Sequence, residues 1–199
     1  MPRRALLRLA RIVTEVLSPS PLIAVLLVRV AVATDPAWWW SSTIAVTFLA
    51  ALPWTITLVL VRRGAATDLH VRHREQRHLV YALALGSMLL GMALLVILPT
   101  TADVRLAAAI GILTLLIVMI VNTRLKISVH AVLGALTGLV IPAGLSGTVW
   151  WVLGATGWLL VCWSRLTLRR HSALEVVTGS LLGGAAGTAF LVLAPQYPG

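Results

Sequence analysis

Residues 105–123 read Arg-Leu-Ala-Ala-Ala-Ile-Gly-Ile-Leu-Thr-Leu-Leu-Ile-Val-Met-Ile-Val-Asn-Thr. Between Arg105 and Arg124 no residue is charged. A helix needs about 20 mainly apolar residues to cross the hydrocarbon core of a bilayer. Only elements that satisfy their own backbone hydrogen bonds survive there. The stretch therefore reads as a transmembrane helix. Working outward, comparable segments fall at 19–34, 43–61, 79–98, 128–145, 148–163 and 172–194. Together with 105–123 they take up 131 of the 199 residues. Only 11% of residues are charged, against about 25% in soluble domains, and the mean hydropathy is +0.97. Too little polar surface remains to coat a water-soluble globule. The expected fold is an all-α, polytopic integral membrane bundle of six to seven transmembrane helices. It forms one domain over 1–199, which opens with a basic N-terminal segment at 1–18. The fifth and sixth segments are joined by a few residues around Ser146, which predicts a tight helical hairpin.

Charge is unevenly shared between the connecting segments. Residues 1–18, 62–78, 124–127 and 164–171 hold 14 of the 16 basic residues. The segments 35–42, 99–104 and 146–147 and the tail are nearly neutral, with Arg105 at their border and Arg29 inside the first span. Seven crossings place the basic set on one face, and the positive-inside rule makes that face cytoplasmic. Trp38, Trp39 and Trp40 then form an aromatic belt at the opposite interface. Topology and attraction to anionic lipid account for many of these arginines. The net charge of +10 needs no nucleic-acid partner to explain it. The single cysteine, Cys162, has no partner for an intrachain disulfide and reads as a packing residue.

All five histidines, His70, His73, His78, His130 and His171, lie on the basic face. Neutral imidazoles add little to a topology signal. Among arginines they point to chemistry on an anionic group, because the guanidinium fork fits phosphate oxygens. Three elements carry this signal. Residues 164–179 contain Ser164, Arg165, His171, Glu175 and Gly179. His171 and Glu175 are four apart, so on one helix face the carboxylate would hold one imidazole nitrogen and leave the other free. Residues 126–130 read Lys-Ile-Ser-Val-His at a helix start, where free N–H groups and the helix dipole favour anions. Residues 68–78 form a basic loop with His70, Arg74, Arg77 and His78.

In order and spacing these elements resemble the type 2 phosphatidic acid phosphatase family, and a short bacterial membrane subgroup of it. That family carries K-x6-R-P, then P-S-G-H, then S-R-x5-H-x3-D. Here the last motif is complete except that Glu175 stands for Asp. The middle one keeps Ser128 and His130, and the first keeps only Arg77, with His70 at the lysine position. The resemblance implies a metal-independent, cofactor-free lipid phosphate phosphatase. His171 is then the nucleophile that becomes phosphohistidine. Glu175 orients it, and His130 protonates the leaving oxygen. Arg77, Ser128 and Arg165 bind phosphate, with Arg74, Lys126 or His70 supplying the missing cation. The implied substrate is phosphatidate, phosphatidylglycerophosphate, a polyprenyl phosphate or diphosphate, or a phosphosugar lipid. The rival reading is a non-enzymatic membrane protein that binds or moves anionic lipids.

Small residues repeat every four positions at Gly179, Gly183 and Gly187, and again at Gly134 and Gly138. Such spacing lets helices approach closely. It predicts packing that draws the helix starts bearing His130 and His171 together. A homo-oligomer is compatible with the same pattern.

Overall fold

The computed structural model describes the backbone of residues 2–63 and 74–198, and the side chains of 3–63 and 79–198. The described residues are helical, with no strand among them. Helix α1 spans Pro2–Val16 and α2 spans Pro19–Thr34. Helices α3 (Trp38–Val46) and α4 (Leu52–Arg62) are joined by a π turn over Thr47–Ala51. Then come α5 (Arg74–Ile97), α6 (Ala102–Val121), α7 (Val129–Ala143), α8 (Thr148–Thr167) and α9 (Ala173–Leu193). The π turn has a local cause: Pro53 has no N–H to continue the ladder. Ser87 of α5 donates to the Phe48 carbonyl within that turn, at 2.7 Å.

Five helical stretches are long and apolar enough to cross a membrane: Trp38–Arg62, Leu79–Ile97, Ala102–Val121, Thr148–Thr167 and Ala173–Leu193. The pair Arg3–Val16 and Pro19–Thr34, bent by 43°, makes a sixth if counted as one. The segment expected at 128–145 is trimmed to the 15 residues of α7. Ser128 is spent as its cap, and Pro142 and Gly144 end it. At 1.5 Å per residue α7 is about 22 Å long, short for a lipid-facing span. It is instead the central helix. His130, Ala131, Val132, Gly134, Ala135, Leu136, Thr137, Val140 and Pro142 are all buried along it, and α2, α8 and α9 pack around it.

The glycine pattern does what its spacing predicts. A Cβ at Gly179 would stand 2.7 Å from the Ser128 carbonyl oxygen, and one at Gly183 would overlap the Val132 carbonyl. Gly187 faces Leu139 and the Leu136 carbonyl. These pairs advance together, so α9 runs parallel to α7 in backbone contact. On the other side of α7, Gly138 meets Gly154 and Gly134 meets Trp158 and Val161, which makes α8 antiparallel. The predicted hairpin at Ser146 is the loop 144–147, turned by Gly147 at φ 103°.

The neutral end is closed by protein. The Tyr197 hydroxyl donates to the Val140 carbonyl at 2.9 Å, and the Gln196 N–H donates to Asp103 Oδ2 at 3.1 Å. Arg29 sits over the Tyr197 ring and donates to the Gly144 carbonyl. Arg29, inside α2, thus meets a ring and a carbonyl, while its Nε is buried without a hydrogen-bond partner. Trp38, Trp39 and Trp40 at the start of α3 and Trp150 and Trp151 at the start of α8 are exposed at this same end, as an aromatic belt requires.

Candidate functional site

The site is built where α8 ends and α9 begins. Helix α8 closes in a Schellman turn. Arg170 N–H donates to the Arg165 carbonyl at 3.1 Å, and Arg169 N–H to the Leu166 carbonyl at 3.0 Å. Arg169 takes the left-handed conformation, φ 51°, which costs a residue other than glycine about 1–2 kcal/mol. The turn throws the chain back so that α9 starts three residues later with a capping box. The Ser172 hydroxyl accepts from Glu175 N–H at 3.3 Å, and Glu175 Oε2 accepts from Ser172 N–H at 3.0 Å.

His171 meets Glu175 as expected, but by a different route. His171 lies one residue before the cap, outside α9, so the two do not share a helix face. The capping box folds the Glu175 carboxylate back over the helix start, and its Oε2 comes to 3.0 Å from His171 Nδ1. The Lys126 carbonyl lies 3.2 Å from the same nitrogen. Both neighbours are acceptors only, so Nδ1 carries the proton and Nε2 keeps the lone pair.

The 126–130 loop is fastened to this corner. Ser128 N–H donates to the Glu175 carbonyl at 3.2 Å, and Gly179 lets the Ser128 carbonyl approach α9. The starts of α7 and α9 are thereby joined. His130, 7% exposed in the first turn of α7, stands at the same end of the bundle as His171. Ser128 is fully buried, and its hydroxyl accepts from Ala131 N–H at 3.4 Å. Its observed task is to cap α7. Lys126 is exposed, and its charge reaches His171.

Arg165 is 3% exposed. Its Nε and Nη1 are buried without any hydrogen-bond partner. A guanidinium out of water and unpaired is costly, and this one is also repelled by Arg170. Next to it, the buried Ser164 hydroxyl accepts from Thr14 of α1 at 3.0 Å and donates to the Val161 carbonyl at 2.8 Å. The His171 pKa lies below its ordinary value of 6.5. Burial is the main cause and the Arg165 charge the next, with the Glu175 hydrogen bond and charge pulling the other way. The imidazole is therefore neutral at pH 7, with its lone pair at Nε2.

Of the expected site residues, the structure brings together His171, Glu175, Arg165, Lys126 and Ser128, with His130 at the same end. Arg74 and Arg77 lie in the first turn of α5, but their side chains are outside the described residues, and His70 is outside them altogether. Sequence reasoning missed Ser172, although Ser-x-x-Glu before an apolar run is a capping-box signal. It also missed the Lys126 carbonyl and Thr14, for which no residue type is diagnostic. In comparisons with known proteins, no family model, no curated relative and no solved structure matches this chain.

Proposed function

We propose that this membrane protein hydrolyses a phosphate monoester or diphosphate on a lipid, through a phosphohistidine at His171. One observation carries the reading: a buried guanidinium with unmatched donors, Arg165, shares a corner with a histidine whose free nitrogen is Nε2. A phosphoryl group answers both, supplying oxygens to the guanidinium and an electrophile to the imidazole.

In the first step the Nε2 lone pair bonds to phosphorus while the phosphorus–oxygen bond to the lipid breaks. His130, protonated, gives its proton to the departing oxygen. The imidazole, still bearing its Nδ1 proton, becomes a cation that the Glu175 carboxylate balances. In the second step water bonds to phosphorus and yields a proton to His130. The phosphorus–nitrogen bond breaks, and inorganic phosphate leaves with neutral His171 restored. Arg165 offsets the charge spread over the phosphoryl oxygens in both steps. Arg77, Arg74, Lys126 and His70 are the further cations of this proposal. Entry is from the basic, cytoplasmic face, with the lipid tails left in the bilayer.

The test is phosphate release by the purified protein from phosphatidate, phosphatidylglycerophosphate, a polyprenyl diphosphate and a phosphosugar lipid. Release from one class, lost to background in a folded His171→Ala variant, is the expected result. No release from any class, with anionic lipid still bound, would favour a lipid-binding or lipid-moving protein instead.

A further inference from the structure

Helix α1 carries three distinct faces. Ala10 and Thr14, 0% and 5% exposed, turn inward, and α1 packs on α8 through the bond from Thr14 to Ser164. Leu6, Leu9, Ile12 and Val16, spaced three or four apart, form an exposed apolar stripe. Arg4, Arg8 and Arg11 lie on a third side with Glu15, all exposed. Four arginines and a glutamate in 15 residues exclude α1 from the hydrocarbon core, where each charge is costly. Yet the apolar stripe does not belong in water either. A helix with an apolar stripe and an arginine side is built for the boundary between acyl chains and headgroups. Arginines beside that boundary are complementary to anionic headgroups.

We infer that α1 is an interfacial helix that grips anionic lipid on the basic face, and that this grip sets the placement of Arg165 through the Thr14–Ser164 contact. Ser164 precedes Arg165 directly, and its hydroxyl accepts the Thr14 hydrogen bond that ties α1 to this end of α8. When α1 is held against the headgroups, its inward face stays docked on α8 and the end of α8 stays seated. The regulatory half of this inference rests on the proposed phosphatase reading; the placement of α1 does not.

The experiment uses the full chain with Cys162→Ser and an environment-sensitive fluorophore on a cysteine at Ile12 or at Arg8. The probes are read in vesicles of phosphatidylcholine, alone and with added phosphatidylglycerol. The Ile12 probe should be blue-shifted and shielded from an aqueous quencher, and more so with phosphatidylglycerol. The Arg8 probe should stay quenchable. High salt should reverse the phosphatidylglycerol effect. Equal quenching at both positions would overturn the placement. So would shielding of both, which marks a span, or shielding of Ile12 that survives in detergent and fades on dilution, which marks a second copy. In the same vesicles phosphate release should rise several-fold with phosphatidylglycerol. The combined Arg4→Gln, Arg8→Gln and Arg11→Gln variant should keep the rate seen in neutral vesicles and lose the rise. A flat wild-type response would overturn the coupling. Absence of any phosphate release would overturn the coupling together with the phosphatase reading, and the probe readings would still decide where α1 lies.

Discussion

The carboxylate of Glu175 serves two partners through one oxygen: Oε2 lies 3.0 Å from His171 Nδ1 and 3.0 Å from the Ser172 backbone nitrogen. The same atom caps α9 and fixes the imidazole that precedes it. An amide oxygen can accept both bonds, so Glu175→Gln keeps the capping box and removes only the charge.

Glu175→Gln should therefore fold and melt close to wild type while kcat falls by roughly 10- to 100-fold, the scale on which outer partners of a histidine act. KM should change little, because the charge is needed only once His171 becomes a cation. The acid limb of kcat/KM should also move. His171 already titrates below 6.5, and its neutral form attacks, so activity persists below that pH and fails at the folded-state pKa. Glu175 raises that pKa, so Glu175→Gln should shift the limb to still lower pH. Stability follows the same sign. The unfolded chain binds the proton first as pH falls below 6.5, so the fold loses stability from there down to the folded value and then levels off. Unchanged kcat with a large rise in KM would contradict the orienting role.

Arg165→Met should raise stability and abolish turnover together. Two buried guanidinium nitrogens have no partner, and removing them relieves roughly 1–3 kcal/mol of desolvation. Thermal unfolding in detergent checks the first half. Orthovanadate, which adopts the five-coordinate geometry of a phosphoryl centre, should stabilise wild type against heat and leave Arg165→Met unmoved. If vanadate protects both equally, Arg165 does not hold the anion. Because Arg165 also holds the His171 pKa down, Arg165→Gln should move any residual acid limb to higher pH.

The fold was legible where composition alone decides, as in the uncharged run between Arg105 and Arg124. The shortness of α7 was not, because Ser128 and Pro142 take residues that hydropathy counts as span. For the site, the four-residue spacing pointed to the right pair for an incomplete reason. His171 is a loop residue, and the capping box makes the contact. The Ser172-x-x-Glu175 pattern held that information. The three-faced character of α1 was also present in the spacing of Leu6, Leu9, Ile12 and Val16, behind a charge count that marked 1–18 only as basic. Nothing local announces that Lys126 lends a carbonyl to His171, because every residue has one and the fold alone selects it.

Gly183→Ala should damage the site from a distance. The added Cβ would overlap the Val132 carbonyl, backbone that has nowhere to go, and overpacking costs about 1–3 kcal/mol. It would push the starts of α7 and α9 apart and loosen the bond from Ser128 N–H to Glu175. Its neighbour supplies the control. A Cβ at Gly184 meets nothing within 4 Å, so Gly184→Ala should be neutral to slightly stabilising. Paired melts and rates for the two variants decide the matter. Equal behaviour would mean that the parallel contact of α7 and α9 does not hold the corner together.

The last expectation concerns sidedness, and it follows from charge and from the way the ends of the helices are built. The end that carries His171 also carries Lys126, Arg165, Arg169 and Arg170, and Arg62 and Arg63 close α4. The other end carries the exposed tryptophans of α3 and α8, and its Arg29 is turned inward onto Tyr197 and Gly144. Setting aside Arg74, Arg77, Lys126 and Arg165 as cations of the proposed chemistry leaves ten basic residues in the sequence segments 1–18, 62–78, 124–127 and 164–171, against Arg105 at the border of the neutral set. Each basic residue near an anionic leaflet contributes about 1 kcal/mol, so the bias far exceeds thermal energy. In a Cys162→Ser background, a cysteine at Arg170 in intact cells should be silent to an impermeant thiol reagent and react after lysis. A cysteine at Ser146, exposed in the loop between α7 and α8, should react from outside at once. Labelling at Arg170 in intact cells with none at Ser146 would invert the topology and move the proposed chemistry to the outer leaflet. Labelling at both would mean that α8 does not cross.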